Sequence, residues 1–96
     1  MYGLIGKITA HPGQRATLEA ALLENAGGMP GCHSYVVARD LLDENALWIS
    51  EVWDSRESHK ASLSLPSVQA AIAKARPVIA GFSHRVETEP VGGIGL

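Results

Sequence analysis

Four segments of the chain alternate apolar and polar residues with a period of two, the pattern of a half-buried β-strand. In order they are residues 2–9, 32–40, 46–53 and 79–88. In the third segment one face carries Leu47, Ile49, Glu51 and Trp53. In the second segment His33 shares a face with Tyr35, Val37 and Arg39. Residues 41–45, between these two segments, predict a polar hairpin loop.

The segments between the strands predict helices. Residues 13–26 repeat apolar side chains at helical spacing, and Gly27-Gly28 ends the pattern. Asp54 or Ser55 is placed to cap a short helix that runs to about residue 63, because either side chain can accept hydrogen bonds from free amide groups. After an interruption at Pro66, residues 67–76 predict a further helix that Pro77 ends.

The order strand, helix, strand, strand, helix, strand is that of a ferredoxin-like α+β fold. It predicts a four-stranded antiparallel sheet with the helices on one face. The other face then exposes Trp48, Val52 and Val36, and an apolar face of this size is typical of an interaction surface. We therefore expect two copies to pack sheet against sheet as a homodimer.

Composition limits the classes of function that remain. The chain of 96 residues predicts one domain over 1–96, in which residues 88–96 form either a flexible tail or a segment that reaches a partner. A net charge of -2, without a basic run, predicts no nucleic-acid or membrane partner. Cys32 is the only cysteine, so no internal disulfide is expected. The first residues lack the pattern of a signal peptide, which predicts a cytoplasmic protein.

Several short motifs occur in an order and spacing that resemble the antibiotic biosynthesis monooxygenase family. They are HPGQ before the first helix, PGCHSYVVARD, LWISEVWDSRES and LSLPS. The best anchors are residues 30–32, Tyr35, residues 51–53 and Pro66, and the resemblance extends from Tyr2 to Glu87. It implies a ferredoxin-like protomer that dimerises into an α+β barrel, with a pocket between the sheet and the helices.

The resemblance also implies an activity. Many family members use no metal, flavin or nicotinamide, since the deprotonated substrate itself gives electrons to oxygen. We therefore expect a cofactor-independent monooxygenase that oxidises a quinol or a phenolic, polyketide-like aromatic with molecular oxygen. The alternative is a non-catalytic dimeric α+β barrel that binds a small aromatic ligand, because a fold alone does not fix a function. The family's haem-degrading relatives use an asparagine on the first strand, and residues 2–9 contain none.

Six residues are candidates for the site. His59, His33 and Glu51 are the candidate catalytic groups, because an imidazole is suited to accepting a phenol proton. Trp53, Tyr35 and Ile49 are the candidate substrate-binding groups. Family members often carry a histidine about nine residues after the tryptophan and another just after the proline. This chain has Ser62 and Ser67 there, which leaves open whether His59 or His33 is the base.

Glu51 is an unusual residue for its strand face, which is otherwise apolar. It is expected either to form an ion pair, with Arg39 or Arg85, or to have a raised pKa. The four histidines are scattered through the sequence without metal-ligand spacing, and no phosphate-binding glycine motif links a strand to a helix. No cofactor or metal is therefore predicted.

Overall fold

The computed structural model describes residues 1–24 and 26–96, which form a four-stranded antiparallel sheet with helices on one face. The strands are β1 (Tyr2–Ala10), β2 (Cys32–Arg39), β3 (Ala46–Trp53) and β4 (Ile79–Thr88). The helices are α1 (Arg15–Leu23), α2 (Arg56–Ser62) and α3 (Pro66–Ala75), and a single 3₁₀ turn (Arg76–Val78) leads into β4. The strand order β2-β3-β1-β4 confirms the predicted ferredoxin-like fold.

Apart from α1, the element boundaries agree with the sequence prediction to within about one residue. The strands β3 and β4 have the predicted limits, whereas α1 is shorter at both ends than the predicted 13–26, and residue 25 lies outside the described residues. Pro66 does not interrupt a helix but occupies the first turn of α3. Proline is suited to this position, because the first amide of a helix has no intrahelical partner.

Two apolar clusters hold the helices on the sheet. In the larger cluster, Leu18 of α1 and Leu47 of β3 are fully buried, together with Ile49. The smaller cluster joins Tyr2 and Leu4 of β1 to Trp53 at the end of β3. The side of β3 that the sequence placed towards the helices is therefore the buried side, and Glu51 lies between the two clusters on that side.

A bulge at the start of β2 changes one predicted strand face. Cys32 pairs with Trp53, but Ser34 pairs with the very next residue of β3, Val52, so β2 contains one extra residue here. Cys32 packs against the smaller cluster, and His33 is exposed. The prediction that His33 shares a continuous face with Tyr35 was wrong, because a bulge inserts one residue into the alternation.

The sheet face that lies away from the helices keeps apolar side chains in contact with solvent. Ile5 of β1, Val36 of β2 and Val86 of β4 are 38%, 51% and 51% exposed. At one end of this face Trp48 donates a hydrogen bond to Asp40 (2.8 Å), and its ring lies near Lys7 and His84. This is the face on which the sequence places a second copy, and dimerisation stays a prediction.

Within the part of the chain that the structure describes, the helices are too short and too polar to cross a membrane.

Candidate functional site

An apolar cavity of about 610 Å³ opens between the helices and the sheet. Small side chains of α3, Ala71 and Ala75, face Gly81 and its neighbour Ala80 on β4, which leaves a slot between helix and strand. Larger apolar groups complete the walls: Ile8, Leu22, Met29, Val68, Ile72, Ile79 and Phe82. A volume of this order is enough for a small organic ligand.

Two polar side chains line this cavity, Tyr35 of β2 and Arg76 after α3. Burial, with the nearby Glu51 and Cys32, raises the pKa of Tyr35 well above its usual range. The phenol therefore keeps its proton at any physiological pH and acts as a hydrogen-bond donor rather than a base. Arg76 is exposed, at the end of the slot where α3 meets the 3₁₀ turn.

Tyr35 also connects the cavity to a buried cluster of titratable groups. Tyr35 and Glu51 are directly paired in the β2–β3 register, and paired residues of an antiparallel sheet project their side chains on the same face. Met29 forms a second connection, because it lines the cavity and also packs against the Tyr2–Trp53 cluster. Glu51, His59 and Trp53 do not themselves line the cavity, so Tyr35 and Met29 are the groups that connect it to the cluster.

Glu51 is held between Trp53 and His59. The Trp53 indole N–H donates a hydrogen bond to Glu51 Oε1 (3.0 Å), and His59 Nε2 lies 4.0 Å from the same oxygen. The Glu51 and His59 side chains are only 14% and 16% exposed. The imidazole packs edge-on against the Trp53 ring, with a centroid separation of 5.4 Å, so aromatic packing fixes its orientation.

Burial raises the pKa of Glu51, although the Trp53 hydrogen bond, His59 and Arg85 each favour the charged form. This agrees with the second of the two sequence expectations. The first, an ion pair with Arg39 or Arg85, was wrong: Arg39 binds Glu19 of α1 instead (2.8 Å), and no lysine or arginine among the described residues lies within 4.0 Å of Glu51. The nearest cationic group is His59, whose charge depends on pH.

The short helix α2 places His59 over this cluster. Its N-terminus is capped by Ser55, whose hydroxyl accepts a hydrogen bond from the Ser58 amide (3.1 Å). At the other end, the buried Ser62 donates to the carbonyl of His59 (2.6 Å). The serine found where family members often carry a histidine thus supports the turn that holds His59.

Three polar residues cover His59 on its solvent side. The Tyr2 ring lies 5.8 Å from the imidazole, and its hydroxyl donates to Glu87 Oε2 (2.7 Å). Arg56, the first residue of α2, crosses the Tyr2 ring and binds the same Glu87 oxygen (2.9 Å). We call Arg56, Tyr2 and Glu87 the outer clasp, because they join α2 to β1 and β4 around the imidazole.

The structure brings together four of the six candidate residues: His59, Glu51, Trp53 and Tyr35. His33 lies at the β2 bulge, where it is exposed. The pKa of the Asp54 carboxyl is lowered, mainly by hydrogen bonds with Ser58 and Ser55 and to a smaller extent by the nearby His33. Ile49 is buried in the larger apolar cluster, next to the site but in the core between sheet and helices.

Several residues of the site were not identified from the sequence. Tyr2 and Glu87 lie near opposite ends of the chain, so only the antiparallel β1–β4 pairing brings them together. Met29 and Phe82 resemble ordinary core residues in sequence, yet both line the cavity. Glu87 is a charged residue near the end of β4, but the sequence gives no partner for it.

Carboxylate, thiolate and imidazole groups do not converge into a metal-binding set of three anywhere in residues 1–24 and 26–96. Burial and the neighbouring Glu51 raise the pKa of the Cys32 thiol, which disfavours the thiolate that would bind a metal.

Comparison with known proteins identifies relatives along most of the chain. The family model for antibiotic biosynthesis monooxygenases matches residues 1–74. A Chloroflexus aurantiacus J-10-fl structure classed with antibiotic biosynthesis monooxygenases is 66% identical, with a TM-score of 0.93 over 96% of this chain and 94% of that one. A Deinococcus radiodurans structure of the same class is 26% identical, with a TM-score of 0.80 over 98% and 96%.

A more distant structure shares the fold. SnoaB, a cofactor-independent oxygenase from Streptomyces nogalater, is 16% identical, with a TM-score of 0.78 over 97% of this chain and 95% of that one. No curated protein matches the chain in sequence.

Proposed function

Because the chain belongs to the antibiotic biosynthesis monooxygenase family, we propose that it is a cofactor-independent monooxygenase acting on a quinol or a phenolic, polyketide-like aromatic. The observation that carries this proposal is the largely buried Glu51–His59 pair, which Tyr35 connects to an apolar cavity. The cavity suits a planar aromatic, and the pair, although it does not line the cavity, supplies a proton acceptor for a ring hydroxyl that reaches the Tyr35 end. The neighbour SnoaB supports the absence of a cofactor.

The residues of the site have distinct roles in this proposal. Tyr35, which remains protonated, donates a hydrogen bond to a substrate oxygen and orients the ring. The Glu51–His59 pair accepts the phenol proton, and Trp53 fixes the position of the pair through its N–H and its ring face. The charge of the substrate anion is delocalised into the ring by conjugation. The apolar walls exclude the water that would stabilise the anion through hydrogen bonds, so its electrons are more readily available to oxygen.

The overall reaction balances without a further reductant. With an anthrone, the anion transfers one electron to O₂, and the resulting substrate radical and superoxide combine into a peroxide anion at the ring carbon. The O–O bond then breaks as that carbon loses its hydrogen and becomes a carbonyl. The substrate gains one oxygen atom and loses two hydrogens, which leave with the second oxygen atom as water. The proton held by the Glu51–His59 pair is returned in this last step.

Oxygen consumption with a panel of hydroquinones and anthrones tests the proposal directly. We expect His59→Ala to lower kcat about a hundredfold or more, as is typical for loss of a general base. His11→Ala, which removes an exposed imidazole from a turn, is the matched control and should not change the rate. A large loss of activity in His33→Ala, with full activity in His59→Ala, would show that His33 is the base instead.

The same assay separates this proposal from the non-catalytic alternative. An aromatic that binds in the cavity without oxygen uptake, across the whole panel, would favour a binding barrel. The activity should also survive dialysis against a chelator, because substrate, oxygen and protein side chains suffice in the proposed reaction. Activity that a chelator abolishes and one metal restores would contradict the mechanism.

A further inference from the structure

Two carboxylates of opposite character flank His59. On the inner side lies Glu51, whose Oε1 is 4.0 Å from His59 Nε2 and whose side chain is 14% exposed. On the solvent side lies Glu87, which is 42% exposed and bound by the Tyr2 hydroxyl and Arg56. Glu87 forms no ion pair with His59 but is connected to it through the Tyr2 ring, whose centroid lies 5.8 Å from that of the imidazole. The charged and titratable groups around the His59–Glu51 pair come from every neighbouring element: Tyr2 of β1, Cys32 and Tyr35 of β2, Arg56 of α2, and Arg85 and Glu87 of β4.

We propose that Glu87 is a positioning residue for the base: its carboxylate steadies the protonated form of His59 from the solvent side, and Arg56 opposes this effect. The inference rests on the proposed role of the Glu51–His59 pair as proton acceptor. It extends the site beyond the cavity to the outer clasp, which neither touches the substrate nor resembles a catalytic motif in sequence.

The reaction requires His59 to hold a proton for the interval between substrate deprotonation and the release of water. An imidazolium in a mostly buried position needs a nearby negative charge. Burial raises the pKa of Glu51, so this inner carboxylate is less inclined to stay charged. The Tyr2 hydroxyl, Arg56 and other neighbours keep the pKa of Glu87 below its usual range, so this outer carboxylate stays charged throughout the working pH range.

Arg56 supplies the positive charge of the outer clasp. Arg56 and His59 are three residues apart on α2, a spacing that places both side chains on one side of the helix. The guanidinium reaches over the Tyr2 ring to Glu87, so it partly neutralises the carboxylate that Tyr2 holds on the solvent side of His59. Removing Glu87 and removing Arg56 therefore break the same ion pair but change the charge around His59 in opposite directions.

The two single variants Glu87→Gln and Arg56→Gln test this inference. NMR follows the pH titration of the His59 ring in the substrate-free protein, and the acidic limb of the kcat/KM profile follows the base during turnover. We expect Glu87→Gln to move both midpoints to lower pH and Arg56→Gln to move both to higher pH. Because the clasp is partly exposed, each shift should be roughly 0.2–0.7 pH units.

Matched controls exist on the same helix. Glu57→Gln and Lys60→Gln remove one negative and one positive charge from exposed positions of α2, and neither should move the His59 midpoint appreciably. If both clasp variants shift His59 in the same direction, or not at all, the clasp only holds the helix and the inference is wrong. The NMR titration decides this even if no substrate is oxidised, an outcome that would instead contradict the proposed function.

Discussion

At the scale of single residues, the charged form of Glu51 lowers the stability of the folded state. Its carboxylate lies between two apolar clusters, and its strongest partner is the neutral N–H of Trp53. A buried carboxylate with no cation in ion-pair contact is less stable charged than it would be in water. Such a residue contributes little to folding, and its presence is better explained by chemistry at the site.

This cost predicts the effect of Glu51→Gln on stability. Since burial raises the pKa of Glu51 in the folded state, its favourable contribution is present below the unfolded value, about 4.3, and is lost as pH rises through the folded value. Gln keeps the shape and still accepts the Trp53 hydrogen bond. We expect Glu51→Gln to raise Tm at pH 8 by roughly 2–4 °C, which corresponds to about half a kcal/mol in a domain of this size.

The gain in Tm should become much smaller near pH 4, where most of the Glu51 carboxyl is protonated in both the folded and the unfolded state. Thermal melts of wild type, Glu51→Gln and the exposed control Glu57→Gln at pH 4 and pH 8 measure this difference. A Glu51→Gln protein that is destabilised equally at both values would show that the charged carboxylate is satisfied in the fold.

The residues of the candidate site are easier to predict from the sequence than their partners. Glu51 and Trp53 were found because strand alternation places them on one face, and alternation is a local property. The pairing of Arg39 with Glu19 of α1, rather than with Glu51, depends on how a helix docks on the sheet. The exposure of His33 depends on a single inserted residue, which leaves no mark in the hydrophobic pattern.

At the scale of elements, α2 is a short helix on which much of the site depends. Seven residues are too few for a stable isolated helix, so its caps and side-chain contacts must hold it in place. Ser55 supplies the N-terminal cap and Ser62 secures the last turn. The position of His59 is therefore sensitive to serines that never contact a ligand.

Ser55→Ala should destabilise the protein by about 1 kcal/mol, the usual cost of losing a side-chain N-cap. Urea unfolding measures the loss. Ser55→Asp, which retains an oxygen for the Ser58 amide, should restore most of it. Equal stability of the alanine and serine proteins would show that the Arg56–Glu87 pair and the aromatic stack hold α2 without the cap.

The β2–β3 hairpin is a second element with its own pH dependence. Trp48 and the amides of Leu42 and Asp43 all donate to Asp40, and they lower the pKa of this carboxyl to about 2. Because the folded value lies below the unfolded one, about 3.9, the contribution to stability is present above pH 4 and is lost as pH falls towards 2.

Asp40→Asn should therefore lower Tm at pH 7 and weaken the dependence of Tm on pH between 4 and 2. Fluorescence-detected melts are suitable, since Trp48 is the hydrogen-bond partner. Glu44→Gln removes a charge from the same loop at an exposed position and should leave the acid limb unchanged. If the dependence of Tm on pH between 4 and 2 is the same in Asp40→Asn as in the wild type, other carboxylates cause the loss of stability in acid.

At the scale of the whole molecule, one face of the sheet has no helices to cover it. Ile5, Val36 and Val86 remain substantially exposed there, and a chain of this size buries a limited fraction of its surface alone. The fold as a whole was predictable because the order of its elements allows few antiparallel arrangements. The sequence also predicts a second copy as the partner for this face. How two copies pair depends on both chains, so dimerisation stays a prediction.

We expect light scattering to give a mass near twice 10.2 kDa at micromolar concentration. Val36→Glu places a charge on the uncovered face and should favour the monomer, because a buried unpaired carboxylate is costly. Leu41→Glu is the control, since Leu41 is 97% exposed on the hairpin, away from this face. A wild-type protein that is monomeric and folded would exclude sheet-to-sheet pairing.

The irregular outer strands limit how copies of this chain can associate. β2 and β4 are the two edges of the sheet; β2 has its extra residue at His33, and β4 has extra residues opposite Gly6 and at Ala80, with His84 at a φ of 54°. A kinked edge offers a poor template for hydrogen bonding to another strand. The irregular edges thereby disfavour fibrils that grow by strand pairing, even though one face of the sheet is apolar and exposed. At high protein concentration we therefore expect closed pairs rather than open-ended polymers.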